Sequence, residues 1–190
     1  MVKFELYTGD PGQEKLLEAL PTIEWGAGKF LYKEITGGMF HQQHGKSARL
    51  YFVRDTNSEG ADRKGADCER INRGGADHRN ADGDDADRED GPLAGFGAIV
   101  EQDYHPVPEW QRWIAFVYVW PEYRGRQLSR EIVQFLEGEI AAAGEREVHI
   151  LTQHRGLYEK YGYELVREED DGRHAHAYIY HKELTESPTK

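Results

Sequence analysis

Trp113 to Tyr163 reads WIAFVYVWPEYRGRQLSREIVQFLEGEIAAAGEREVHILTQHRGLYEKYGY, and its patterns run strand, tight turn, helix, strand, helix. Trp113 to Val119 is an almost unbroken run of aromatic and branched apolar residues, the mark of a strand buried on both faces. Pro121 stops it. From Leu128 onward the apolar positions are Leu128, Ile132, Phe135, Leu136 and Ile140, which is helical spacing with one buried stripe. Gly144 is placed to cap that helix, and Val148 to Leu151 forms a second short strand. Two strands joined by a helix make a βαβ crossover, so the strands are expected to be parallel.

The turn between the first strand and the helix carries chemistry. A helix N-terminus presents unpaired N–H groups and a partial positive charge, so it receives anions, phosphate above all. Here Arg124 and Arg126 flank it, and Gly125 lets backbone approach a ligand. A short Arg/Gly turn is equally what a solvated surface turn looks like.

The rest of the stretch narrows the choice. Val119, Pro121, Tyr123, Arg124, Gly125 and Ser129 spell VxPxYRGxxxS, and Leu157 to Tyr163 spell LYEKYGY. In this order and spacing they resemble the GNAT superfamily of acyl-CoA-dependent N-acyltransferases: the first motif its CoA pyrophosphate loop, the second its FYEKxGF segment. The matching stretch covers about a quarter of the chain. In that family the loop usually reads Arg/Gln-x-x-Gly-x-Gly/Ala; this chain has Gln127 and Ser129 at the two small positions.

The resemblance implies an α/β (α+β) fold: a mixed, mostly antiparallel sheet with a central parallel strand pair and helices on both faces. It implies one N-acetyltransferase domain over 1–190. It also implies acetyl-CoA as co-substrate, bound by backbone groups of Val117, Tyr118 and Val119 and by the loop Arg124, Gly125, Arg126, Gln127, Leu128 and Ser129. Tyr158 takes the place of the family's tyrosine acid. An ordinary tyrosine, with a pKa of about 10, keeps its proton where a thiol, at about 8.5, begins to lose one. It can therefore protonate the departing thiolate. The strand Trp113–Val119 carries no acid to serve as base. Glu101 and Asp103, just past the preceding strand, are the nearest candidates, Glu101 first; His154 is another, since histidine titrates near neutrality, and a water path with no single base is the alternative.

Around this stretch the chain is less specific. Val2 to Tyr7 alternates as an edge strand does. Asp10-Pro11 reads as a helix start, followed by a short helix over Gln13 to Leu20 with Leu16, Leu17 and Leu20 inward. The family pattern makes two helices of the region from Thr22 to Phe40, walling the acceptor site. Trp25, Phe30, Leu31, Ile35 and Phe40 are either wall or ordinary core. Trp25, Phe30 and Asp103 are the substrate-binding candidates. Gly26-Ala27-Gly28-Lys29 lacks the spacing of a nucleotide loop. Ala48–Val53 and Leu93–Val100 are strands. Between them, the 55–91 insert repeats Gly-Ala-Asp three times and holds almost no large apolar residue, so disorder is expected. Glu164–Glu168 and His174–His181 are expected to pair antiparallel across Asp170-Asp171-Gly172.

Composition sets the remaining bounds. The chain has 190 residues, 35 acids against 24 bases and a net charge of −11. That argues against general nucleic-acid binding, which wants a basic face; such a surface suits a salt-rich cytoplasm or simply solubility. A single cysteine, Cys68, excludes an intrachain disulfide and fits a reducing compartment. No apolar run approaches the roughly 18 residues of a membrane span, and the N-terminus lacks a signal-peptide core. The expected setting is cytoplasmic, with no membrane partner. Nothing in the sequence joins the pairs His41/His44 and His174/His176 into a metal site, and no metal is expected. The activity expected is acetyl transfer to a primary amine of a small molecule. A protein or peptide N-acetyltransferase and a non-catalytic acyl-CoA-binding module are the other readings. A homodimer is one of the assemblies left open.

Overall fold

The computed structural model describes residues 1–56, 91–103, 107, 109–169 and 176–184. The 55–91 insert apart from its ends, Cys68, the Asp170–Gly172 turn and His174 lie outside the described residues.

Among the described residues, seven strands form one sheet: β1 (Val2–Leu6), β2 (Arg49–Asp55), β3 (Leu93–Val100), β4 (Trp113–Val119), β5 (Glu147–Thr152), β6 (Glu164–Glu169) and β7 (Ala177–Glu183). Their spatial order is β1-β2-β3-β4-β5-β7-β6. Every adjacent pair is antiparallel except β4–β5, which is parallel. The helices are α1 (Glu14–Glu18), α2 (Gly26–Thr36), α3 (Phe40–His44) and α4 (Leu128–Ala142).

The sheet is buried on both faces. On one, Leu16, Leu20 and Leu31 of the α1–α2 segment pack on Phe52, Phe96 and Trp113. On the other, Ile132, Val133, Leu136 and Ile140 of α4 pack on Val53, Ile114, Val148 and Tyr180. β3 has no side chain at Gly95 and Gly97 because α4 lies directly on it. A Cβ at Gly97 would stand 2.9 Å from Ile132 Cγ2 and 3.0 Å from Leu136 Cδ1. The α4 stripe is as the spacing predicts, and Gly144 adopts φ +90° just past the helix.

Two local expectations are corrected. Asp10 does not start α1. Its carboxylate accepts from the Thr8 hydroxyl, and the helix begins after Gln13 with no side-chain cap. Leu20 falls in a following 3₁₀ turn that contains Pro21. The YEKY segment is likewise a single 3₁₀ turn, Tyr158–Tyr161, closed by Gly162 at φ +88°, and not an α-helix.

The ends of the insert meet. The Asp55 N–H donates to the Pro92 carbonyl at 3.0 Å, and a Cβ at Gly91 would fall 2.2 Å from the Asp55 carbonyl oxygen. β2 and β3 are therefore already closed as a hairpin where the insert leaves the sheet. Replacing residues 57–90 by a short Gly/Ser turn should leave the thermal midpoint unchanged or slightly higher, because a shorter loop costs less to close. A fall of more than a few degrees in a melting scan would show that the insert packs on the domain.

Candidate active site

β4 and β5 touch at one point only. Trp113 pairs with His149, where the His149 N–H donates to the Arg112 carbonyl at 3.0 Å. Beyond that bridge no ladder is formed between them, and a cavity of about 830 Å³ opens in the gap, a size that suits a cofactor-sized ligand. The Ile114–Val119 edge of β4 lines one side, and Ile150 to His154 line the other. Unpaired strand edges facing one another across a cavity supply backbone donors and acceptors for an extended ligand.

A bulge shapes the β4 side. Ala98 pairs with Ala115 and Phe96 with Tyr118, so Phe116 and Val117 together stand opposite Gly97. Phe116 has φ +56°, a conformation that costs a non-glycine residue on the order of 1–2 kcal/mol. It is propped by His44, whose ring meets Phe116 edge-on at 5.3 Å. His44 is itself buried, with Nε2 at 2.9 Å from Glu34 Oε2. His44 thus belongs to a buried contact between α2 and α3, separate from the exposed His41.

The turn before α4 lines the gap. Gln127, at the helix N-cap, adopts φ +60° and ψ 17°, and no side chain caps the helix. The loop therefore takes the left-handed shape that glycine would favour there, with Gln127 bearing the strain. The uncapped first turn of α4 borders the cavity, which Arg124, Gly125, Gln127, Leu128 and Ser129 line, and a free helix N-terminus favours an anion. The Ser129 and Tyr161 hydroxyls are 2.9 Å apart. The two arginines part company. Arg124 donates through Nε to the Val119 carbonyl at 3.2 Å and lies over the Tyr118 ring. Arg126 turns away from the cavity, over Tyr123 and 4.0 Å from Asp55.

Tyr158 also lines the gap, 6% exposed and enclosed by the rings of Tyr161, Tyr163 and Tyr180. Burial, and then the neighbouring Tyr161, Asp103 and Tyr180, push its phenol well above the ordinary tyrosine range. His154, Asp103 and Trp25 also line the cavity. The Trp25 ring stacks on Tyr118 with centroids 5.9 Å apart.

Three sequence candidates stand elsewhere. Glu101 lies outside the lining. Its carboxylate accepts from the Ser47 hydroxyl at 2.6 Å and the Ser47 N–H at 2.8 Å. Those bonds, with Arg112 and Lys46 nearby, hold its pKa below the usual carboxylate range, which makes it a weaker base. Phe30 is exposed on α2, 46% accessible, and Phe40 is buried in the core. Conversely, Thr152, Gln153, Glu169 and Ala177 line the cavity and carried no motif. The first two sit at and just past the carboxyl end of a parallel strand, the place where open sheets bind ligands, and that rule could have found them.

A family model for the acetyltransferase (GNAT) domain matches residues 86–165, the span that contains the bulged strand, the uncapped turn and Tyr158. Residues 86–165 match the GNAT acetyltransferase domain. Solved GNAT structures share its fold along almost the whole chain at low identity. A GNAT-family acetyltransferase from Desulfovibrio desulfuricans is 15% identical, with 97% of this chain and 100% of that one covered and a TM-score of 0.59. An aminoglycoside 6'-N-acetyltransferase complexed with coenzyme A is 13% identical, with coverage of 100% and 99% and a TM-score of 0.56. A spermidine/spermine N-acetyltransferase from Vibrio cholerae, in complex with manganese ions, is 10% identical, with coverage of 96% and 92% and a TM-score of 0.54. No curated protein sequence matches the chain. The GNAT domain is that of an acyltransferase, and among the described residues no helix is long and apolar enough to cross a membrane.

Proposed function

We propose that the chain transfers an acetyl group from acetyl-CoA to the primary amine of a small cationic molecule. The observation that carries this is the β4–β5 gap, lined both by the uncapped first turn of α4 and by the buried Tyr158 phenol. The pyrophosphate lies against the first turn of α4, held by the N–H groups around Leu128 and Ser129. The pantetheine arm extends along the open edge of Val117, Tyr118 and Val119 as an added strand would. The same edge, turned by the Phe116 bulge, offers donors to the thioester oxygen as charge builds on it. The Tyr158 hydroxyl gives its proton to the departing thiolate.

The acceptor enters past Trp25, with Asp103 and Glu169 on the cavity wall. Two carboxylates and a stacked aromatic pair favour an ammonium group over an anion. Before attack the amine must lose its proton. His154 and Asp103 line the cavity and are better placed as bases than Glu101, whose carboxylate is tied to Ser47. The reactants are held close by the same walls, which supplies the proximity term.

Release of free CoA thiol should be measured with acetyl-CoA and a panel of diamines, aminosugars and lysine-bearing peptides. Amine-dependent release with the small cations is the expected result. Release only with peptides would favour a peptide acetyltransferase, a reading that the acidic cavity wall also suits. Binding of acetyl-CoA without release in any arm would sink the catalytic reading.

A further inference from the structure

We infer that the sheet holds a transition-metal site of zinc type, formed by Glu147, His149 and His181 on β5 and β7, outside the acetyl-transfer cavity. The placement follows from register. His149 and His181 are direct partners across the antiparallel β5–β7 pair, so their side chains leave the same face. Glu147 precedes His149 by two residues and shares that face. One donor atom from each of the three lies within 4.8 Å of the others. The His181 Nε2 to Glu147 Oε2 distance is 3.4 Å. Two ligands of a tetrahedral zinc ion, bound at about 2.0–2.1 Å, stand about 3.3 Å apart, so this edge already has the dimension of the site.

A second observation points to a ligand independently. His149 is 1% exposed, and its Nδ1 is covered yet has no hydrogen-bond partner. Buried imidazole nitrogens are ordinarily paired, and an unpaired one is a cost that ligation can remove. The ring is also held in place. Trp110 stacks on it with centroids 4.7 Å apart and planes 10° apart, and Trp113 lies 5.1 Å away. Two imidazoles and one carboxylate select zinc or its neighbours over calcium or magnesium, which want oxygen donors. Three protein ligands leave a fourth position for water on the exposed Glu147 side. His149 is also the residue that joins β5 to β4, so a bound ion would brace the base of the splayed pair.

The test uses the full chain freed of metal by chelation and titrated with Zn²⁺ by calorimetry and with Co²⁺ by absorbance and tryptophan fluorescence. One equivalent of either ion is expected to bind, Co²⁺ giving a visible band and quenching Trp110 and Trp113. His181→Gln and Glu147→Gln, both at accessible positions, should each weaken binding at least 10-fold and remove the quenching while the apo melting temperature stays near that of the parent chain. Absence of saturable binding would overturn the site. So would variants that bind as the parent does, since the ion would then sit on other histidines. None of these readouts depends on acetyl transfer, so the site and the proposed activity stand or fall separately.

Discussion

Tyr158→Phe should lower kcat for acetyl transfer by about 100-fold, within the 10²–10⁴ range of general acid catalysis, and leave the affinity for CoA nearly unchanged. The substitution removes one oxygen from a site walled by three other tyrosine rings, so packing is kept and stability should shift by less than about 1 kcal/mol. The pH profile sharpens the test. Burial raises the Tyr158 pKa above its ordinary value of 10.0. A raised pKa means that the folded protein holds this proton more tightly than the unfolded chain does. The acid form therefore persists through the neutral range, and the stability linked to it is lost only as pH climbs beyond about 10. Any alkaline limb in kcat below about pH 10 must come from another group and should survive in Tyr158→Phe. Parental turnover in the variant would remove Tyr158 from the mechanism.

Ser129→Asp should separate helix stability from cofactor binding. Ser129 is the second residue of α4, after Leu128. An acid there favours the helix by roughly 0.3–1 kcal/mol, and it can still accept from the Tyr161 hydroxyl that Ser129 now meets at 2.9 Å. The melting temperature should hold or rise. The same charge would face the CoA pyrophosphate across the first turn, and two like charges a few ångströms apart in a partly enclosed site repel by several kcal/mol at most. The expected outcome is a rise in the Kd for CoA of roughly 10- to 100-fold, read by calorimetry. An unchanged Kd would mean that the phosphates bind elsewhere.

How far the sequence reached depended on what kind of feature was being read. The α4 stripe, the strand at Trp113–Val119 and the parallel β4–β5 pair followed from periodicity, because a buried face repeats a pattern that residue types record. The Gln127 turn was found by motif and its conformation was not, since a left-handed Gln is set by the loop around it. The Phe116 bulge left no trace at all: an apolar run looks the same with or without an extra residue in its ladder. The surroundings of Glu101 were hidden for a related reason. Sequence showed an acid beyond β3 but not Ser47, brought from the end of α3 to meet it. Glu147, His149 and His181 were missed as a group because 34 positions separate the first from the last and only the pairing of β5 with β7 makes them neighbours.

The single Trp113–His149 bridge has a consequence for how the domain holds itself together. The strands β1 to β4 form one hydrogen-bonded ribbon and β5, β7 and β6 another, and the two are stitched at one end only. Elsewhere α4 and the shared aromatic packing join them. A guest laid in the gap would turn two ribbons into one continuous sheet. Its binding free energy would then add directly to the cohesion of the whole domain, reaching about 2.7 kcal/mol at a concentration 100 times the Kd. On the proposed reading, acetyl-CoA would be the strand that the polypeptide leaves out.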